Sequence, residues 1–171
     1  MTADELRRIL PQSASRADLF AGPLTAAMEE FDINTPARQA SFLSQIGHES
    51  GQLRWVRELA SGKAYEGRRD LGNTQPGDGV RYKGRGLVQI TGRANYTACM
   101  MALDIDCVEQ PELLEQPINA CRSAAWFWKS HGLNELADKG DQVKVTRRIN
   151  GGTNGLADRL ALFENAREVL A

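Results

Sequence analysis

The sequence predicts a mainly α-helical single domain, covering residues 1–171, with a small, loop-rich β insert. Apolar residues recur at helical spacing over most of the chain. Capping residues, prolines and glycines stand where such helices would begin and end. The segment 59–81 differs, because it is dense in Gly, Asn, Asp and Pro and shows little periodicity. A length of 171 residues is that of one domain with its own buried core.

The first two helices are predicted from caps and apolar spacing. Residues 2–5 read TADE, which is a capping box, and the apolar residues that follow stop at Pro11. Residues 16–31 form a second apolar-periodic stretch. A Gly-Pro pair at 22–23 is a candidate break within it.

The third helix has clear signals at both ends. Thr35 supplies an N-cap, and Pro36 is suited to the first helical position. We expect this helix to run from Pro36 to about Ser50, with Gly51 as the residue just past its end.

A long irregular segment separates this helix from the next. Connections as long as residues 59–81 are uncommon in compact domains and tend to be functional. Residues 86–91, GLVQIT, then indicate a short strand or extended segment. Helices are predicted again at about 93–103, 111–115, 117–131, 133–138, 141–149 and 155–170.

Charge and hydropathy exclude several classes of protein. The net charge is −1, so the chain lacks the basic footprint of a nucleic-acid-binding protein. No apolar run reaches the ~18 residues needed to span a bilayer, and the polar N-terminus is not a secretory signal. We therefore expect synthesis in the cytoplasm and no stable membrane insertion.

Positive charge is concentrated in one part of the chain. From Arg54 to Arg93 there are nine basic and four acidic residues, which leaves +5 there and −6 elsewhere. Such a segment can concentrate an anionic polymer, and it can equally be a solvated loop face.

The cysteines and histidines give no metal-binding pattern. The three cysteines, Cys99, Cys107 and Cys121, match no CxxC spacing, and we expect them to be reduced and packed in the core. The two histidines, His48 and His131, belong to no HExxH motif. The sequence therefore predicts neither a metal site nor a cofactor.

One glutamate of the third helix lies on its apolar face. On a helical wheel with Phe42 at 0°, Ile46 falls at about 40° and Glu49 at about −20°, whereas His48 is turned away. Partial burial favours the protonated form of a carboxyl, as a general acid requires. A buried glutamate satisfied by an arginine is the alternative.

The next glutamate, Glu58, follows nine residues later. In one continuous helix these two carboxyls would lie on opposite sides and roughly 13.5 Å apart along the axis. They can converge only if the chain turns at about Gly51. Two carboxyls across a cleft are what glycoside hydrolysis uses.

Three segments give this pattern a specific resemblance. GHES at 47–50, YKGRGLVQITGRANY at 82–96 and INGGTNGLADR at 149–159 resemble the signature segments of family 19 glycoside hydrolases, the chitinase-like enzymes. The resemblance covers about residues 36–165. The short chain and the absence of predicted disulfides are closer to the phage endolysin branch than to secreted chitinases.

The resemblance implies roles for individual residues. Glu49 corresponds to the general acid, Glu58 to the general base with Glu66 as the competing candidate, and Thr91 to the hydroxyl that holds the attacking water. Trp55, close to the predicted turn at about Gly51, is a candidate for stacking on a sugar. The full set of substrate-binding candidates is His48, Trp55, Tyr82, Gln89, Asn95, Tyr96, Asn150 and Arg159.

The implied fold is lysozyme-like α+β, with a substrate cleft between the helices and the insert. The implied function is hydrolysis of β-1,4 bonds in peptidoglycan by an inverting two-carboxylate mechanism, without a cofactor. We expect a monomer, made in a host cytoplasm and released to the cell wall with a holin-type partner. A chitinase, or a non-catalytic glycan-binding module, remains the alternative.

Overall fold

The computed structural model describes the whole chain from Met1 to Ala171, and nine α-helices form most of it. These are α1 (Ala3–Ile9), α2 (Arg16–Glu30), α3 (Pro36–Glu49), α4 (Asp78–Arg81), α5 (Arg93–Leu103), α6 (Pro117–Ser130), α7 (Leu133–Asp138), α8 (Gln142–Asn150) and α9 (Leu156–Leu170). Short 3-10 turns lie at Pro11–Ser13, Lys63–Tyr65, Arg69–Leu71 and Pro111–Glu115. The predicted mainly α fold is confirmed.

The caps place the helix ends where the sequence predicts them. Thr2 and Glu5 form both hydrogen bonds of the capping box, and the Thr35 hydroxyl accepts from the Arg38 backbone N–H. The candidate break in α2 is wrong, because the helix continues through Pro23. Burial of its apolar face, including Phe20, against neighbouring helices outweighs the hydrogen bond that proline cannot make.

Residues 54–92, between α3 and α5, are called the insert below. Its β structure consists only of two isolated antiparallel bridges, Arg57 with Arg85 and Arg85 with Ile90. The segment predicted as extended is instead a tight loop, since Arg85 and Ile90 exchange backbone hydrogen bonds of 3.1 and 2.8 Å. Leu87 and Val88 are therefore both buried, whereas a strand would point them to opposite faces.

Two hydrophobic cores hold the molecule. The larger joins α1, α2, α3, α6 and α9, with Phe42 and Trp128 packed edge to face at 5.4 Å between ring centroids. The smaller lies where α5 meets the insert and contains Tyr82, Ile90 and Tyr96. All three cysteines are buried and free, as expected. None of the helices has the length and apolar character required to cross a bilayer.

Candidate active site

The chain leaves α3 through a left-handed turn. Gly51, Gln52 and Leu53 all have positive φ, of 58°, 54° and 70°, a conformation that costs energy for non-glycine residues. Backbone hydrogen bonds hold the turn, from Gln52 N–H to the Gly47 carbonyl (2.6 Å) and from Trp55 N–H to the Ser50 carbonyl (2.9 Å). The helix therefore ends directly after Glu49, and the turn leads the chain into the insert.

The Glu49 carboxylate is held by a buried arginine. Arg159, on α9, is 2% exposed, so it does not line an open cleft as the substrate-binding prediction expected; it donates instead to Glu49 Oε1 at 2.6 Å. It also donates to Gln45 Oε1 at 2.6 Å and to the Asn154 carbonyl at 3.0 Å. Glu49 keeps 27% of its side chain exposed, and its Oε2 has no hydrogen-bond partner in the protein. One oxygen is thus fixed while the other is available to a ligand.

Gln45 belongs to this arrangement although motif reasoning missed it. It lies one helical turn before Glu49, and its amide nitrogen donates to the Thr146 hydroxyl at 3.1 Å. Residues four apart share a helix face. A polar, hydrogen-bonding residue at that spacing from Glu49 was therefore a signal in the sequence.

His48 connects the end of α3 to the start of α9. Its Nδ1 lies 2.7 Å from Asp158 Oδ2. The ring packs so closely on Gly155 that a Cβ there would lie 2.1 Å from the ring. The structure therefore gives His48 a positioning geometry beside Glu49.

Asn150 lies at the exposed end of α8 and shapes the loop that follows. Its Oδ1 accepts from the Asn154 backbone N–H at 3.3 Å. The Asn154 carbonyl in turn accepts from Arg159. Asn150 is therefore linked to Glu49 through backbone and Arg159, while its own side chain remains exposed.

Glu58 is held by neutral donors. Its Oε2 accepts from the Gly84 N–H (2.9 Å) and the Tyr65 hydroxyl (3.1 Å), and its Oε1 is buried and accepts no hydrogen bond from the protein. Burial and the charge of Glu58 raise the pKa of Tyr65, which keeps that hydroxyl a donor. The carboxylate has unused acceptor capacity at Oε1, although this atom is shielded from solvent in the structure.

Glu66, the competing candidate, is fully engaged with the backbone. Its Oε1 accepts from Gly77 N–H and its Oε2 from Gly79 N–H, each at 2.8 Å. Both bonds hold together the long loop of the insert. This geometry favours Glu58 over Glu66 as the second carboxylate.

Three of the predicted polar residues line one small cavity of about 170 Å³. Gln89 and Asn95 are exposed, Thr91 is half-buried, and Asn95 donates to the Thr91 carbonyl at 2.8 Å. The opposite wall comes from α6 and its end, where the rings of Phe127 and His131 stack at 3.9 Å. Sequence reasoning did not assign these two residues to the site, because their contact with the insert is non-local.

Gln89 also approaches the Glu58 carboxylate. A Cβ added at Gly84 would lie 2.7 Å from both Gln89 Oε1 and Glu58 Oε2. Glycine at this position therefore lets the amide and the carboxylate come close to the same stretch of backbone.

Tyr82 and Tyr96 require a correction. Both side chains are buried, with 1% and 0% exposed, so they do not line an open cleft as expected. Their hydroxyls donate to the carbonyls of Val108 (3.0 Å) and Lys83 (2.6 Å). Burial raises the pKa of Tyr96. Tyr96 thereby supports the segment Gly84–Gly86, and Tyr82 supports the turn at Val108, because a phenol can pack in a core and still donate to a backbone carbonyl.

Trp55 is placed as a surface aromatic residue. It is 38% exposed, lies against Gly51, and carries the Arg54 guanidinium 4.7 Å above its ring. The structure therefore leaves an aromatic surface next to the turn. No three side chains of His, Cys, Asp or Glu are grouped so that they could hold a metal ion.

Comparison with known proteins identifies the family. The glycoside hydrolase family 19 profile, described as chitinase class I, matches residues 26–145. A family 19 domain-containing protein of Haemophilus influenzae is 33% identical over 171 aligned positions, which cover 82% of this chain and 84% of that protein. An Arabidopsis thaliana endochitinase is 35% identical over 66% of this chain but only 39% of its own length.

Solved structures show the same fold. Chitinase C from Streptomyces griseus superposes with a TM-score of 0.81 over 99% of this chain and 76% of that one, at 22% identity. A bacterial family 19 chitinase gives 0.80 over 99% of this chain and 94% of that chain, at 23% identity.

Proposed function

Because the chain belongs to glycoside hydrolase family 19 and is therefore a chitinase-like enzyme for β-1,4 glycosidic bonds, we propose that its substrate is the glycan of bacterial peptidoglycan. In this proposal it acts as a monomeric lysozyme of the endolysin type, made in a host cytoplasm and released to the cell wall by a holin. Glu49 and Glu58 carry the chemistry, and no cofactor takes part.

The observation that supports this division of roles is the free oxygen on each carboxyl group. Glu49 Oε1 is held by Arg159, which orients Oε2, the oxygen that in this proposal carries the proton for the leaving glycosidic oxygen. Glu58 Oε2 is fixed by Gly84 and Tyr65, and Oε1, which accepts no hydrogen bond and is buried in the unliganded protein, is in this proposal the base that the attacking water must reach when substrate binds. Members of the family invert the anomeric centre, which requires about 6.5–9.5 Å between the two carboxyls with substrate bound.

The small cavity suits the sugar next to the cleaved bond. Gln89, Thr91 and Asn95 offer neutral donors and acceptors for hydroxyl and acetamido groups. Phe127 and His131 offer a flat surface on the other wall. The Thr91 hydroxyl, in this proposal, helps to orient the water that Glu58 deprotonates.

Charge favours peptidoglycan over chitin as the natural polymer. Of the nine basic residues from Arg54 to Arg93, five take part in ion pairs. The remaining four, which have no acidic partner, are Arg54, Lys63, Arg69 and Lys83. Chitin is uncharged, whereas the peptide stems of peptidoglycan carry carboxylates. An unpaired cationic surface therefore attracts peptidoglycan and not chitin.

The test is a direct comparison of substrates. Purified peptidoglycan and chitin oligomers are digested in parallel, and products are identified by mass spectrometry, with the Glu49→Gln protein as the inactive control. We expect larger kcat/KM on peptidoglycan, with hydrolysed rather than anhydro ends. Raising the salt concentration should narrow the preference, since screening weakens attraction between exposed charges.

Chitin itself is the second candidate, because plant relatives matched by the chain are named endochitinases. The chemistry at Glu49 and Glu58 would be unchanged. Faster turnover of chitin oligomers, insensitive to salt, would favour this candidate and would contradict the peptidoglycan proposal while leaving the catalytic roles intact.

A further inference from the structure

Two of the three cysteines lie in the smaller core. Cys99 lies on α5 and Cys107 in the turn that follows, and both are fully buried. The Cys107 thiol donates to the Tyr96 carbonyl at 3.3 Å. Since a helical side chain lies over the turn that precedes it, this carbonyl is next to the Cys99 side chain. The two side chains therefore lie beside the same carbonyl in the smaller core.

The contact makes the two thiols chemically unequal. Interaction with Cys107, together with burial, raises the pKa of Cys99, whereas interaction with Cys99 lowers the pKa of Cys107. Cys121 belongs to the larger core and has no thiol neighbour; burial alone raises its pKa. Because the thiolate is the reactive form, Cys107 is the nucleophile of the pair.

We propose that Cys99 and Cys107 are a disulfide-forming pair, whose bond forms when the protein meets a disulfide oxidant and reinforces the smaller core next to the segment Gly84–Gly86. This inference does not depend on which glycan the enzyme cleaves. It goes beyond the expectation that all three cysteines serve only as core residues.

The reaction is a thiol–disulfide exchange in two steps. The Cys107 thiolate attacks one sulfur of an external disulfide such as oxidised glutathione, which forms a mixed disulfide and releases one glutathione thiolate. Cys99 then loses its proton and attacks the Cys107 sulfur, which releases the second glutathione. Two protein thiols are oxidised and one glutathione disulfide is reduced. The surface turn around Cys107, where Asp104 and Asp106 are exposed, gives access by local opening.

The expected consequence is a covalent cross-link in the smaller core. The bond would close a short loop and restrict the unfolded chain. The same core contains Tyr82 and Tyr96, whose hydroxyls hold the backbone around Lys83 and Val108. Oxidation should therefore raise the melting temperature, by about 5 °C for a loop of this length in a domain of this size.

The cleavage sites in the sequence allow the proposed disulfide to be mapped by proteolytic digestion. Reduced protein is incubated with oxidised glutathione, denatured, alkylated and digested. Trypsin would leave all three cysteines in one peptide, since there is no Lys or Arg between Arg93 and Arg122. A protease that cuts after Asp and Glu separates Cys99 from Cys107 at Asp104, so the cross-link appears as two joined peptides.

We expect the free thiol count to fall from three to one and the melting temperature to rise. Cys121→Ala should keep both responses, whereas Cys99→Ala and Cys107→Ala should each lose them. The proposal is overturned if all three thiols survive oxidation, if Cys121 enters the cross-link, or if the wild-type bond forms and lowers the melting temperature. The wild-type mapping decides the point even if a variant fails to fold.

Discussion

The two candidate carboxylates lie on parts of the molecule that are held together by different interactions. Glu49 ends a helix whose apolar face, with Phe42 and Ile46 fully buried, packs into the larger core. Glu58 belongs to the insert, where many exposed and partly buried polar contacts add to the packing of the smaller core. Those contacts join Arg93 to Asp78, Asn73 to Tyr65 and Arg93, Glu66 to Gly77 and Gly79, and Arg85 to Glu115 and Tyr96.

This difference has a consequence for catalysis. Hydrophobic burial stabilises a scaffold without specifying the direction of any one group, whereas hydrogen bonds fix direction and distance. We therefore expect changes near Glu49 to be felt through its one buried arginine. Changes in the insert should displace Glu58 even where stability is little altered.

The largest effect is expected from Glu49→Gln. Glutamine keeps an oxygen that can accept from Arg159 but has no proton to donate to the leaving group, so kcat should fall by about 10³–10⁴-fold with the fold unchanged. The measurement is reducing-end release from peptidoglycan, together with the melting temperature. Glu29→Gln, exposed on α2, is the control and should retain full activity. A folded Glu49→Gln protein with wild-type turnover would remove Glu49 from the acid role.

The next effect separates Glu58 from Glu66. Glu58→Gln should lower kcat by about 10²–10³-fold because the water loses its base. Glu66→Gln should act mainly on the loop, since its amide nitrogen would meet a backbone N–H donor at Gly77 or Gly79. It should therefore lower the melting temperature more than kcat. The reverse ranking of the two kcat values would transfer the base to Glu66.

The helices were largely predictable because their signals are local. Caps such as Thr2 and Thr35 and the period of apolar residues lie within a few positions of the elements they define. The same holds for Glu49, whose place on the apolar face follows from its own helix. The position of Glu49 on its helix left open whether an arginine pairs with it. That arginine is Arg159, which lies on α9, far from Glu49 in the sequence.

The geometry of the insert was not predictable in this way. The turn after α3 depends on positive φ at Gln52 and Leu53, residues that give no such signal. The motif tyrosines Tyr82 and Tyr96 are buried because the smaller core forms from distant segments, which spacing does not reveal. Tyr65, which donates to Glu58, has no sequence signal because loop composition alone does not place a side chain.

Arg159→Lys is the third test and concerns positioning at Glu49. Lysine carries the same charge but cannot reproduce a planar fork that reaches Glu49, Gln45 and the Asn154 carbonyl together. We expect kcat to fall by about 10–100-fold with a smaller change in KM, because a displaced acid affects chemistry more than binding. Arg167→Lys, on the exposed face of the same helix, is the matched control. Equal activity of the two variants would argue against a positioning role.

Gly84→Ala tests the corresponding constraint on the insert. The added Cβ would lie 2.7 Å from Glu58 Oε2 and Gln89 Oε1, so the carboxylate must move. About a tenfold loss of kcat is expected. Gly22→Ala, where a Cβ meets nothing within 4 Å, should leave kcat unchanged. If Gly84→Ala retains full turnover, the position of Glu58 is less restricted than its hydrogen bonds imply.

The smallest effect concerns the stability of the insert and its dependence on pH. Asp78 has only 2% of its side chain exposed and is paired with Arg93, and this hydrogen bond holds the pKa of Asp78 below its usual value. A lowered folded-state pKa means that the pair stabilises the protein above the ordinary aspartate pKa of about 4. This stabilisation is lost as the pH falls from the ordinary aspartate pKa through the folded-state pKa of Asp78.

Asp78→Asn should therefore cost about 1–3 kcal/mol of unfolding free energy at pH 7. The difference from wild type should shrink in urea unfolding at pH 3, which is below the ordinary aspartate pKa of about 4, because the carboxyl of the unfolded chain is then mostly protonated. Asp70→Asn, which removes an exposed pair with Arg68, should cost little at either pH. A pH-independent cost for Asp78→Asn would show that packing rather than charge stabilises this part of the insert. The insert would then be stabilised in the same way as the helices around Glu49.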